Sequence, residues 1–138
     1  MSEVKVVEAN VKKFPAGLYY VGDLCYFLPN HVYDDYVCSS TGYEGVEVEV
    51  TDGEKAPYLS FYSHTAYGDG IYRDNKRNSY CVDAGIIGIV QLVDEEMIAS
   101  AKAQEKAKLA QVIKFEHPFT VDVNVGTFEF GDIKIRTE

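Results

Sequence analysis

The chain has 138 residues, 46% of them hydrophobic and 25% charged, a length and balance that suit one folded domain spanning residues 1–138 and argue against a disordered chain. With 22 acidic against 13 basic residues the net charge is −9. Binding to a nucleic-acid backbone requires clustered Lys and Arg; the basic cluster Arg73, Lys76 and Arg77 has Asp74 inside it, so no direct nucleic-acid partner is expected.

In chain order, residues 3–14 mix Val and Lys and open with a strand. Pro15-Ala16-Gly17 signals a turn, and strands are predicted over 18–20 and 24–28, interrupted by Gly22-Asp23. Pro29 stops the second. Asn30 is expected to cap a short helix over about 31–38, with Val32, Tyr33, Tyr36 and Val37 as its buried stripe and Ser39–Gly42 as its end. Val46, Val48 and Val50 alternate with Gly45, Glu47 and Glu49, which turns the valines to a core and the glutamates to water. Residues 58–64 form the next strand, with Leu59 and Phe61 on one face and Tyr58, Tyr62 and His64 on the other. A hairpin follows, 71–73 against 79–82, around the polar loop 74–78, and then a buried-type strand over 86–93.

Asp94 opens a long helix, expected to run to about 112, with Glu95 and Glu96 where the helix dipole favours anions. Its apolar face, Ile98, Ala101, Leu109, Val112 and Ile113, is thin. Three short strands, 119–125, 127–130 and 133–136, close the chain. Strands outnumber helices and do not alternate with them. The expected class is therefore α+β, a mostly antiparallel, curved sheet with one short and one long helix.

Three cysteines, Cys25, Cys38 and Cys81, lie far apart without a C-x-x-C pair, which points to reduced thiols in a cytoplasmic protein. The first residues lack the apolar run of a signal peptide, and the most apolar stretch, 84–93, is too short to span a bilayer, so no membrane partner is expected.

Chemistry concentrates in three segments that place Gly and Asp beside strands: 22–26, 63–72 and 82–85. Glycine lets backbone approach a ligand, and Asp at a strand end can hold it. If the segments meet, Asp23, Tyr26, His64, Thr65, Tyr67, Asp69, Tyr72 and Asp83 line one ligand-binding site. Gly-Asp pairs are also ordinary turn formers, because Asp bonds its own local backbone. Zinc on Cys25, Cys38, Cys81 and His64 lacks close ligand spacing, and no phosphate loop, dinucleotide fingerprint or H-x-x-x-H occurs, so neither metal nor cofactor is expected. Cys25 as a nucleophile with His64 as base has no local support.

Gly17-Leu18-Tyr19-Tyr20-Val21-Gly22-Asp23-Leu24-Cys25-Tyr26, Thr65-Ala66-Tyr67-Gly68-Asp69-Gly70-Ile71-Tyr72 and Tyr80-Cys81-Val82-Asp83-Ala84-Gly85-Ile86-Ile87-Gly88 resemble the motifs of a group of small uncharacterised proteins of bacteria and their phages. That group carries G-D-P-C-Y, where this chain has Leu24 in place of Pro. The resemblance covers roughly residues 17–92, implies no activity, and suggests that the three segments form one structural unit.

Three functions are weighed. The first is a non-catalytic binding protein for a small polar ligand or a partner protein, host-directed in a phage setting. The second is an assembly protein, a homodimer through the Ala-rich helix at Ala103 and Ala107. The third is a hydrolase using His64 with Asp23, Asp69 or Asp83.

Overall fold

A computed structural model describes residues 4–8, 13–38, 44–53, 56–124 and 126–137. The fold is α+β and mostly antiparallel sheet. Strands β1 (Val4–Glu8), β2 (Lys13–Phe14) and β3 (Gly17–Gly22) precede helix α1 (Asn30–Tyr36). After it come β4 (Val48–Asp52), β5 (Tyr58–His64), β6 (Gly70–Asp74), β7 (Ser79–Val82) and β8 (Ile86–Gln91). Helix α2 (Glu95–Lys106) is followed by β9 (Gln111–Phe115), β10 (Phe119–Asn124), β11 (Thr127–Phe130) and β12 (Ile133–Arg136). They build two six-stranded sheets, β1-β4-β5-β8-β3-β9 and β2-β10-β11-β12-β6-β7, in which every strand pair is antiparallel.

The first sheet is covered on both faces, and the sequence pattern of its central strands follows from that. Tyr58 and Tyr62 of β5, with Ile86 and Val90 of β8, pack beneath the helices against Leu28, Val32, Tyr36 and Ala101. Phe61, Ile87 and Ile89 point the other way, onto Tyr80, Phe128, Phe130, Ile133 and Ile135 of the second sheet. A strand buried on both sides reads as a continuous apolar run, as Ile86–Val90 does. In β4 the alternation holds as expected, with Val48 and Val50 buried and Glu49 exposed; Val46 lies before the strand and is half-buried.

Strand β9 fixes how the layers cross. Its end, Phe115, stacks on Phe119 of β10, one strand in from the β2 edge of the second sheet. Just before its start, the Leu109 carbonyl accepts from the Cys81 amide of β7 at the opposite edge, 2.9 Å away. From β10 to β7 the sheet is five strands, about 19 Å, wide, and residues 109–115 reach about 20 Å when extended. One strand thus runs across five of the six strands of the second sheet, so the strands of the two layers cross steeply.

Three expected elements differ. Residues 24–28 are not a strand: Leu24–Tyr26 is a 3₁₀ turn, because the Asp23 side chain accepts from the Cys25 amide and bends the chain off the sheet. This turn can lie against the sheet because of Gly88, where a Cβ would sit 2.7 Å from the Phe61 carbonyl oxygen and 2.8 Å from Leu24. Asn30 does not cap α1; it is the first helical residue, Pro29 holds the cap position, and no side chain bonds there. The helix ends at Tyr36 rather than near 38, and its expected end at 39–42 lies outside the described residues. Finally, α2 stops at Lys106, not near 112. Lys108 turns into the left-handed region (φ 63°), the Glu105 carboxylate accepts from the Val112 amide, and Val112 and Ile113 become β9, pairing with β3. β-branched residues beside an open sheet edge gain more from the ladder than from extending a helix.

Candidate functional site

The three Gly/Asp segments meet at one end of the first sheet. Strand β3 ends beside Gly88 of β8, and His64 at the end of β5 pairs with Ile86 at the start of β8. The connections leaving these strands are then tied together by side chains. Asp23 is fully buried; its Oδ1 accepts from the Cys25 amide at 2.9 Å, and its Oδ2 from the amides of Asp83 and Ala84 at 2.8 and 2.7 Å. The Tyr26 hydroxyl donates to the Asp83 carboxylate and lies 3.5 Å from Cys81 Sγ. The Thr65 amide donates to the Gly85 carbonyl at 2.9 Å, and its hydroxyl to the Gly68 carbonyl at 2.6 Å. The Tyr72 hydroxyl donates to the same Gly68 carbonyl at 2.8 Å, and the Ala66 amide to Thr137 Oγ1 at 3.0 Å. Gly85 adopts φ 70°, a left-handed conformation that glycine enters without strain, and the Asp69 carboxylate passes close to it.

These bonds consume most of the polar atoms expected to bind a ligand. Asp23, Tyr26, Thr65 and Tyr72 hold the connections to one another. Tyr67, Asp69 and Asp83 remain exposed, with Tyr67 at 73% and the neighbouring Ile71 at 71%. Burial, the bond to Asp83 and the contact with Cys81 all push the Tyr26 hydroxyl well above the usual phenol range. Burial, a hydrogen bond to Asp23 and nearby acidic groups push the Cys25 thiol up to about 12.

His64 takes a partner that sequence reasoning missed. Its Nδ1 and its amide both bond the Glu44 carboxylate, and the Ser63 hydroxyl approaches the same oxygen at 3.4 Å. Partial burial raises the Glu44 carboxyl, but the bonds from His64 and Ser63 outweigh it and hold it below its ordinary value. Glu44 lies 20 residues before His64, so no local spacing announces the pair. A second missed pair is His31 and Asp52, with Nε2 at 3.1 Å from both carboxylate oxygens. Asp52 also lines an apolar cleft of about 80 Å³ between Phe27, Leu28, Tyr58 and Met97.

The cysteines are free, and among the described residues no group of three or more His, Cys, Asp and Glu is placed to hold a metal ion. No helix there is long and apolar enough to cross a membrane. On α2, Ala101 is buried while Ala103 and Ala107 are exposed.

Fold and site together define an α+β protein of two crossed antiparallel sheets, with a braced platform of connections at one end of the first. No protein-family model, curated protein or solved structure matches the chain.

Proposed function

We propose that this chain is a non-catalytic binding protein that recognises a partner protein through the platform at the ends of β3, β5 and β8. The observation that carries this reading is the exposure of Tyr67, on the connection leaving β5, and of Ile71, four residues on in β6, along a stretch fixed at Thr65, Ala66, Gly68 and Tyr72. Large apolar side chains on a braced frame lose little conformational entropy on binding, which is how recognition surfaces gain affinity. Asp69 and Asp83 flank them in a chain of net charge −9, so the complementary partner is basic around an apolar depression.

A partner protein is favoured over a small polar ligand because the inward polar groups already bond one another. Hydrolysis by His64 with Asp23 is disfavoured by the same bonds: Asp23 serves three amides, and His64 faces Glu44. The motif resemblance adds a phage setting, in which the partner is a host protein.

The test replaces Tyr67 with a photo-crosslinking phenylalanine analogue and, as control, places it at exposed Lys102 on α2. Position 67 is expected to give discrete protein adducts in cell extract, lost when Ile71→Ser is added and weakened at high salt. Identical adducts from both positions, or none from position 67 in a folded chain, overturn the reading.

A further inference from the structure

The outward face of the second sheet carries a charge arrangement that neither the platform nor the core explains. In β12 Arg136 lies directly opposite Arg73 of β6. Both are exposed, and the residues flanking each in its strand are buried or half-buried, so both guanidinium groups stand on the solvent side of the sheet. Directly opposed side chains on neighbouring strands have Cβ atoms about 5 Å apart, where like charges destabilise the pair. In a chain with 22 acidic residues against 13 basic, an acid opposite either arginine would remove that cost.

Among the described residues neither guanidinium has an acidic or hydrogen-bonding partner. The row continues with hydroxyl residues at both ends: Thr127 of β11 pairs with Arg136, and Ser79 of β7 with Arg73. Beside the row lies an open cleft of about 280 Å³ bordered by Arg73, Asp74, Asn75, Lys134 and Arg136. Its one carboxylate, Asp74, is buried and committed to the loop below, accepting from the amides of Lys76 and Asn78, the Asn78 side chain and the Tyr80 hydroxyl. Lys134 already pairs with Glu129, at 3.0 Å, which leaves the two arginines as the cleft's unneutralised charge among the described residues.

We infer that Arg73 and Arg136 form a binding site for a doubly charged tetrahedral oxyanion, the phosphate group of a phosphomonoester or free phosphate. Each guanidinium offers a fork of parallel N–H donors, and a tetrahedral dianion has enough oxygens to accept from both forks, whereas one carboxylate neutralises only one of them. Nucleic acid fits less well. Its phosphodiesters carry one charge each, and a long polyanion meets repulsion from the rest of this acidic chain. The inference does not depend on the platform's partner.

The probes are inorganic phosphate and phosphoserine, titrated into the full chain at constant ionic strength while the arginine side-chain NMR signals are followed. Both are expected to shift Arg73 and Arg136 saturably, and Arg73→Gln or Arg136→Gln is expected to weaken binding by about tenfold or more. Affinity is expected to rise from about pH 5 to pH 7.5, as the second phosphate proton, with a pKa near 6 for a phosphomonoester, leaves; sulfate lacks this dependence. Each variant removes a like-charge contact, so a melting temperature equal to or above that of the parent shows it is folded. Equal affinities for the two probes point to free phosphate, and tighter phosphoserine to a phosphorylated partner. No saturable shift, undiminished affinity in both folded variants, or tighter binding of a short single-stranded oligonucleotide than of phosphoserine overturns the inference.

Discussion

Asp23 Oδ2 lies 2.7 Å from the amide nitrogen of Ala84, and through that bond the exit of β3 holds the entrance of β8. The same carboxylate also takes the amides of Asp83 and Cys25. A buried anion satisfied by three backbone donors is a brace. It sets the 3₁₀ turn, and the turn in turn sets Tyr26 against Asp83.

Removing that brace is expected to be costly. Asp23→Ala leaves three amides without their acceptor, and at about 1–3 kcal/mol for an unsatisfied buried group the loss is on the order of 3 kcal/mol after local relaxation. Asp23→Asn keeps the shape but turns an NH₂ toward an N–H, with an expected loss of about 1–3 kcal/mol. Urea denaturation measures both. An unchanged midpoint in either variant would mean that Asp23 is not structural, and would return it to the ligand-binding role first expected from the sequence.

Acid sensitivity is expected to centre on Asp74. Burial raises its carboxyl, but the Tyr80 hydroxyl at 2.6 Å, the Asn78 amide and side chain and the Lys76 amide outweigh burial and hold it below the ordinary value. The folded state therefore binds this proton less readily than the unfolded state does. Its contribution is complete above the ordinary carboxylate range, near pH 4, and is lost as pH falls through the depressed folded value. Glu44 and Asp132 are depressed too, but both are exposed and contribute little. Stability of the parent should fall between about pH 5 and pH 2, and Asp74→Asn should start lower at neutral pH and flatten that fall. Parallel pH profiles for the two chains would remove Asp74 as the cause.

Residues whose fate is decided by neighbours in sequence were legible; those decided by distant strands were not. Alternating or unbroken apolar patterns located β5, β11 and β12 at the bounds observed. The Asp74–Asn78 loop announced the β6–β7 hairpin. The end of α2 was hidden because Ala, Lys, Gln and Glu favour helix through Lys108, while the opposing demand comes from β3, about 90 residues earlier in the chain. Leu24–Leu28 has strand-like composition; the Asp23 bond to the Cys25 amide bends the chain there, and its reach to Asp83 and Ala84 holds the bend against a distant connection. The sequence raised a meeting of the three Gly/Asp segments only as a condition; they do meet, and their polar atoms turn inward upon one another. Arg73 was visible as part of a basic cluster with Lys76 and Arg77. Its actual neighbour, Arg136, is revealed only by the register of β12 on β6.

Thiol reactivity separates the braced turn from a nucleophilic one. The thiolate is the attacking species, and burial, the bond to Asp23 and surrounding acidic groups push the Cys25 thiol up to about 12. At pH 8 only about one molecule in ten thousand then carries that thiolate, against roughly one in four for an ordinary thiol of pKa near 8.5. Cys38 is exposed just beyond α1, and Cys81 is half-buried beside Tyr26. Iodoacetamide at pH 8, followed by peptide mass spectrometry, is expected to label Cys38 first and Cys25 last. Asp23→Asn removes the negative acceptor beside Cys25 and loosens the turn, so it should accelerate labelling of Cys25 more than of Cys38. If Cys25 in the parent chain reacts as fast as Cys38, the thiol is activated rather than suppressed, and the 3₁₀ turn holds a nucleophile after all.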